Sequence, residues 1–263
     1  MPRMPIGAPA SKRIITLTTD FGTADGYVGA MKGVILSINP QASIIDITHD
    51  IRPQGVLEAA FVLKNFAFYF PEETIHLVVV DPEVGSKRRL LILKEKGVIF
   101  LAPDNGLLTL VAGRGQRVVA IDPSLFPQAA PTFHGRDILA PVAGHLSLGR
   151  RPEDFGKRVR GMRRLHLPGP RRTRRGLIGE VIYIDRFGNL ITNLPARSLK
   201  GQPEIEMSGR RIAGIKRSYF EGREGEPMAL IGSHGFLEVA VKGDSAERRL
   251  GTRVGERIIV RQG

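Results

Sequence analysis

Asp20 ends the first part of TTDFGTADGYVG, directly after a β-branched run. A carboxylate there can grip vicinal hydroxyls, as acidic residues grip a ribose after a Rossmann strand; its plainer reading is a helix cap or Asx-turn. Glycines at 22, 26 and 29 let a ligand approach the backbone, but they do not form GxGxxG, so no pyrophosphate cradle is expected. Asp81 and Arg88 stand seven residues apart across the Pro/Gly turn of DPEVGSKRR, a spacing that folds back into an ion pair. On a surface such a pair would contribute only about 0–1 kcal/mol. His134, in TFHGRD, opens a helical pattern. A lone His is more often a cap, yet beside an Asp/Arg pair an imidazole can orient a water and shuttle its proton. Asp185, Phe187 and Asn189 share the stretch DRFGN, which offers a carboxylate for an ammonium, a ring face for a base and an amide for a heterocycle edge. It also reads as a simple turn with Asn in the left-handed region. No spacing matches HExxH or a similar ligand pattern, so no metal is expected.

These residues need elements to position them. Ile14–Thr18 reads as a strand, followed by a helix whose apolar positions are Tyr27, Val28, Met31, Val34 and Ile35, stopped at Asn39-Pro40. Ser43–Ile47 is a second strand, Val56–Tyr69 a largely buried helix, and Thr74–Val80 a near-continuous apolar strand suited to a parallel sheet. Alternating strand and helix predict an α/β layer architecture. Leu90–Leu93 and Val98–Leu101 flank the polar turn Lys94–Gly97 as a hairpin, which makes the sheet mixed. A helix is expected over Ile138–Leu148 with Asp137 as its N-cap. After residue 176 the pattern changes to short strands (Gly179–Ile184, Glu204–Met207, Met228–Ile231, Leu237–Val241, Arg257–Val260) between glycine-rich turns, the mark of a small β-barrel or sandwich. The expected organisation is an α/β domain over 12–149, a basic linker over 150–176 and a β domain over 177–263.

With 263 residues, 42% of them apolar, the chain can bury a sizeable core. No apolar run approaches the roughly 20 residues of a membrane span. The opening MPRMPIGAPASKR lacks the apolar core of a secretory signal and reads as a frayed leader, which favours a cytoplasmic location. Without cysteine there is no disulfide, thiolate catalysis or Cys-ligated zinc. The formal charge of +13 invites a nucleic-acid reading, but +9 of it lies in residues 150–175. Phe155 is the one aromatic there, so base stacking is not expected; any contact would be electrostatic and would weaken steeply with salt.

TTDFGTADGYVGAMKG, VDPEVGSKRR, APDNGLL, TFHGRDILAPVAGHL, YIDRFGNLITN and GSHGFLEVAV occur in this order over residues 14–260. Together they resemble the S-adenosylmethionine hydroxide adenosyltransferase family, the adenosine-forming hydrolases related to SAM-dependent fluorinases and chlorinases. The resemblance implies a Rossmann-like N-terminal α/β domain with a mixed sheet, a smaller C-terminal β-barrel, and a homotrimer binding substrate between the first domain of one subunit and the second of its neighbour. By motif, Asp81, Arg88 and His134 would be the catalytic trio. Asp20 would hold the ribose hydroxyls and Asp185 the methionine ammonium, while Phe187 would pack on adenine and Asn189 bond its edge. Ser233, Glu238 and the backbone near Val241 would complete the pocket. Four positions depart from the pattern: Glu83 replaces a common Gly, Lys242 a frequent Asn, His234 the Arg by which halogenases hold the methionine carboxylate, and Ile191 a Trp of the fluorinases.

The implied reaction splits S-adenosyl-L-methionine into adenosine and L-methionine without a cofactor, because the leaving group is a neutral thioether. Its difficulty is the nucleophile, since water has a pKa near 15.7. Asp81 and His134 are expected to orient a water and take its proton, with Arg88 keeping Asp81 ionised. Three other readings stand beside this one: a halogenase of the same superfamily, a nucleic-acid-binding module, and a SAM sensor without turnover.

Overall fold

The computed structural model describes residues 13–113, 115–167, 169–174 and 176–261; the expected leader, except Arg13, and Arg175 of the basic stretch lie outside them. Two compact units divide between Leu165 and His166. Among the described residues, no helix is long and apolar enough to cross a membrane.

The first unit is mixed α/β. Its strands are β1 (Ile14–Thr19), β2 (Ser43–Thr48), β3 (Ile75–Val79), β4 (Leu90–Glu95), β5 (Val98–Pro103), β6 (Arg117–Ile121) and β7 (Gly156–Val159), and its helices α1 (Tyr27–Ile38), α2 (Val56–Phe66) and α3 (Ala140–Ser147). The sheet order is β2-β1-β3-β5-β4-β6-β7. β1 pairs parallel with β2 and β3, and β3 with β5, while β4 and β6 run antiparallel. Every residue of β3 is buried, as a central parallel strand requires. The hairpin turns on Lys96 (φ 47°) and Gly97 (φ 82°), two positive-φ residues of the kind whose twist matches the flanking strands. A core of Ile15, Leu17, Met31, Ile35, Leu77 and Leu146 seals α1 and α3 onto the sheet.

Three expectations need correction. The helix expected over 138–148 begins earlier, as a wide π turn over Gly135–Leu139 that runs into α3. Asp137 therefore sits inside the turn and caps nothing; its carboxylate accepts from the Ala130 amide (2.9 Å) and pairs with Arg136 (2.6 Å). The helix expected to end at Tyr69 finishes as α2 at Phe66 plus a short 3-10 turn, and Phe66 and Tyr69 are exposed rather than buried. The stretch expected as a linker carries structure, because Lys157–Val159 ladder onto β6 as an edge strand. Gly156 permits that approach, since a Cβ there would stand 1.9 Å from the Ala120 carbonyl. Four of its arginines are paired with carboxylates: Arg150 and Arg151 with Asp154, Arg158 with Glu153 and Arg163 with Glu83.

The second unit is a nearly closed antiparallel barrel. Its strands are β8 (Arg171–Thr173), β9 (Gly176–Ile184), β10 (Leu190–Pro195), β11 (Glu204–Met207), β12 (Arg210–Ala213), β13 (Pro227–Ile231), β14 (Phe236–Val241) and β15 (Arg257–Arg261), with the short helix α4 (Ala246–Leu250). Their order is β12-β11-β15-β9-β10-β14-β13, and β8 pairs β9. Past β12, the Lys216 amide donates to the Ala229 carbonyl (2.8 Å), which brings the two ends of the sheet together. Alternation along β9 and β11 sends Leu177, Val181, Ile205 and Met207 into one core with Val239 and Val260.

Candidate active site

Asp20 and Asp81 follow the carboxyl ends of β1 and β3, the edge of a parallel sheet where α/β proteins place ligands. The backbone after β3 is held by Asn105, whose Nδ2 donates to the Val80 carbonyl (2.8 Å). This gives APDNGLL a positioning task that its sequence does not advertise. Gly135 lets the π turn rest on the end of β3, because a Cβ there would press on Val79 at 3.2 Å. His134, the residue before it, thereby faces the same edge.

Asp81 and Arg88 form the ion pair that their spacing suggested, with side chains only 7% and 1% exposed. The Arg88 Nε donates to both Asp81 oxygens (2.8 and 2.6 Å), Nη2 donates to Oδ2, and the Glu83 amide reaches Oδ1 at 3.2 Å. The Nε–H is shared between the oxygens, so three donors make four contacts and each oxygen already accepts two. A pair this buried spends its Coulomb attraction on desolvation, so its value lies in position rather than stability. Arg88 Nη2 also lies 3.1 Å from His134 Nδ1. A guanidinium has no acceptor, so Nδ1 must accept and the neutral ring carries its proton on Nε2. Burial, then the Arg88 charge, push the His134 pKa down against the opposing pull of Asp81 and Asp137. His134 is thus a neutral hydrogen-bond donor, and the sequence-based expectation that it takes a proton does not fit this contact.

Asp20, Asp81 and His134 line one cleft of about 350 Å³ together with Phe21, Tyr27 and Phe133. Arg88 stands behind it, between Asp81 and His134. Asp20 accepts the Gln54 amide at 2.8 Å through Oδ2, which fixes the carboxylate at the cleft wall. Tyr27, expected on the apolar face of α1, is 51% exposed and opens onto the cleft instead.

The remaining expected site residues belong to the barrel. Asp185 organises the β9–β10 turn: Oδ1 accepts from the Phe187 and Asn189 amides and Oδ2 from Asn189 Nδ2, each at 2.9 Å. The left-handed residue of this turn is Gly188 (φ 81°), not Asn189. A Cβ at Gly188 would meet Ser245 Oγ at 2.0 Å, so glycine lets the turn close onto the start of α4. The Phe187 ring is 78% exposed, whereas Ile191 and Val241 are buried in the barrel. Glu238 is buried on β14, opposite Ile191 in register. It accepts from the Tyr219 hydroxyl (2.6 Å) and meets His234 Nε2 at 3.2 Å, while Ser233 is exposed in the preceding turn. Burial, the Glu238 hydrogen bond and the charges of Glu238 and Asp185 raise the Tyr219 pKa. Tyr219 escaped the sequence reading because no local spacing links it to a carboxylate nineteen residues on; only barrel register does. Phe21, Tyr27 and Phe133 escaped it although they stand inside the very motifs that carry Asp20 and His134.

A mixed α/β unit with a part-buried Asp–Arg–His cluster at its sheet edge, followed by an antiparallel barrel, defines the class of protein. Family models match it in both parts: the SAM hydroxide adenosyltransferase N-terminal domain over residues 15–156 and the C-terminal domain over 179–259. The chain belongs to this family. A Thermus thermophilus (R)-S-adenosyl-L-methionine hydrolase is 38% identical over 92% of this chain and 97% of its own length. A protein of the same name from Methanocaldococcus jannaschii is 39% identical over 90% and 91%. An Actinoplanes fluorinase stands further off, at 28% over 86% and 90%. Among solved structures, an uncharacterized conserved protein from Thermotoga maritima superposes with a TM-score of 0.87 at 35% identity, over 94% of this chain and all of its own.

Proposed function

We propose that the protein hydrolyses S-adenosyl-L-methionine to adenosine and L-methionine. The observation that carries this reading is the cleft in which Asp81 and His134, joined through Arg88, share a wall with Asp20, in a chain whose relatives carry the name of that hydrolase. Those names specify the (R) sulfonium, so the (R) epimer is the form assigned to this chain. Asp20 holds the ribose hydroxyls, which sets the 5′ carbon beside the Asp81 carboxylate, where an incoming water competes with the shared Arg88 Nε–H for an oxygen. A water there gives one hydrogen to Asp81, accepts Nε2–H of His134 on one lone pair, and directs the other at the carbon. As the C–O bond forms, the C–S pair leaves with sulfur as a neutral thioether, and the proton passes through Asp81 to solvent. The neutral leaving group requires no metal, flavin or nicotinamide. Base assistance is worth about 10²–10⁴ in rate, and holding water and carbon in line can contribute up to about 7–11 kcal/mol.

Asp185 serves the methionine ammonium, Phe187 and Asn189 the adenine, and Ser233, Glu238 and the backbone at Val241 the rest of the pocket. A homotrimer that closes each site between the first unit of one subunit and the second of its neighbour belongs to this reading. It is supported by the Tyr27 and Phe187 rings, 51% and 78% exposed on the single chain. A cytoplasmic location belongs to the same proposal. Sedimentation velocity then gives three times the monomer mass.

A halogenase is the second reading, favoured by the fluorinase likeness. It is weakened by Asp81, whose carboxylate would repel a halide at the point of attack. Incubating each sulfonium epimer in ¹⁸O-water and weighing the nucleoside decides the matter. Label in the 5′ hydroxyl is expected; 5′-halo-adenosine in chloride or fluoride, or binding without turnover, would replace the proposal.

A further inference from the structure

The sulfonium itself has no partner in the account above. It is a permanent cation with no N–H or O–H to donate, so its charge is recognised by electron-rich partners: an anion, an oxygen lone pair or a ring face. A free carboxylate against the reacting carbon would be a competing nucleophile, and the one nearest the proposed water, Asp81, is already neutralised by Arg88. The same cleft offers rings instead. Phe21, Tyr27 and Phe133 form a closed aromatic trio with centroids 5.7, 5.8 and 5.4 Å apart and mutual tilts of 53°, 79° and 86°. They line the cleft that contains Asp81 and His134, and they also line a neighbouring cavity of about 390 Å³ bordered by Arg136. A cation already rests on this wall: the Arg136 guanidinium lies 4.9 Å from the Phe133 centroid, tethered by Asp137 at 2.6 and 2.9 Å.

We propose that Phe21, Tyr27 and Phe133 are the wall that receives the substrate's sulfonium and sets substrate specificity for the cation over the neutral thioether. This rests on the reading that S-adenosyl-L-methionine is the substrate. The charge fades as the C–S bond breaks, so the wall holds the ground state at least as firmly as the transition state and loses its grip on the methionine product. Its signature is therefore affinity and product release rather than rate.

The test compares S-adenosylmethionine with S-adenosylhomocysteine, the neutral thioether of nearly the same shape, on full-length wild type, Tyr27→Leu, Tyr27→Phe and Phe133→Leu. Circular dichroism confirms each variant's fold; Tyr27→Leu carries the test if Phe133→Leu does not fold. Tyr27→Leu is expected to weaken sulfonium affinity about 2- to 30-fold, with kcat and thioether affinity each changed less than about twofold, and Tyr27→Phe to restore wild-type behaviour. An equal loss for both ligands would assign the wall to the nucleoside, and unchanged sulfonium affinity would leave it idle; either overturns the proposal. If wild type binds the sulfonium without consuming it, the hydrolysis reading falls, while the affinity ratio from calorimetry still decides for or against the wall.

Discussion

At the residue scale, the donors of Arg88 settle which of its two neighbours can act as a base. By occupying His134 Nδ1, the guanidinium leaves the imidazole only an outward N–H, while the Asp81 carboxylate, an acceptor only, is the group able to take a proton. Asp81→Asn is therefore expected to lower kcat by about 10²–10⁴ with KM little changed, measured by adenosine release. His134→Gln, which retains a donor amide, should keep more activity than His134→Ala; equal loss in both would show that the imidazole does more than donate. The pH profile follows from the same contact. Burial and Arg88 place the His134 pKa below its ordinary value, so the neutral donor persists through neutrality, and activity falls only as pH drops through that lowered pKa. In His134→Gln the acid limb should move to lower pH, because no titrating ring remains there.

At the scale of elements, strand ends and turns convert these side chains into a site. Asn105 is the clearest case: it lies in the turn after β5 yet holds the last carbonyl before Asp81. Asn105→Ala is expected to cost about 10- to 100-fold in kcat while sparing nucleoside affinity, since displacement of the water by about 1 Å is enough for such a loss. Parallel kinetics and calorimetry check it, and a loss confined to affinity would refute the positioning role. The wide turn at Gly135–Leu139 works in the same way, following His134 directly and resting through Gly135 on Val79.

At the scale of the molecule, the first unit carries a buried histidine outside the site. His76 lies on β3, bonded to Thr16 Oγ1 at 2.7 Å and stacked on Phe100, with a pKa pushed down to about 4 chiefly by burial. The unfolded chain, titrating near 6.5, binds this proton first. The contribution to stability is complete above about pH 6.5, is lost as pH falls toward 4, and is constant below that. At roughly 1.4 kcal/mol per pH unit this amounts to about 3 kcal/mol. Urea midpoints between pH 7.5 and 4.5 should fall more steeply for wild type than for His76→Phe; parallel slopes would remove His76 as the cause.

Read from the chain alone, the alternation of the first half, the apolar run of β3, the short strands after residue 176 and the motifs holding Asp20, Asp81, Arg88, His134 and DRFGN were all legible, because each is a local pattern of period, turn chemistry or spacing. Edge strand β7 was not, since GKRV becomes a strand only when β6 presents a ladder to it. Nor was the direction of the His134 proton, which depends on an arginine 46 residues away along the chain. The service of Asn105 to Val80, the meeting of Tyr219 with Glu238 and the closing of Phe21, Tyr27 and Phe133 into one wall share that reason. Each is a contact between residues whose separation in sequence carries no period, and only the folded backbone brings them within reach.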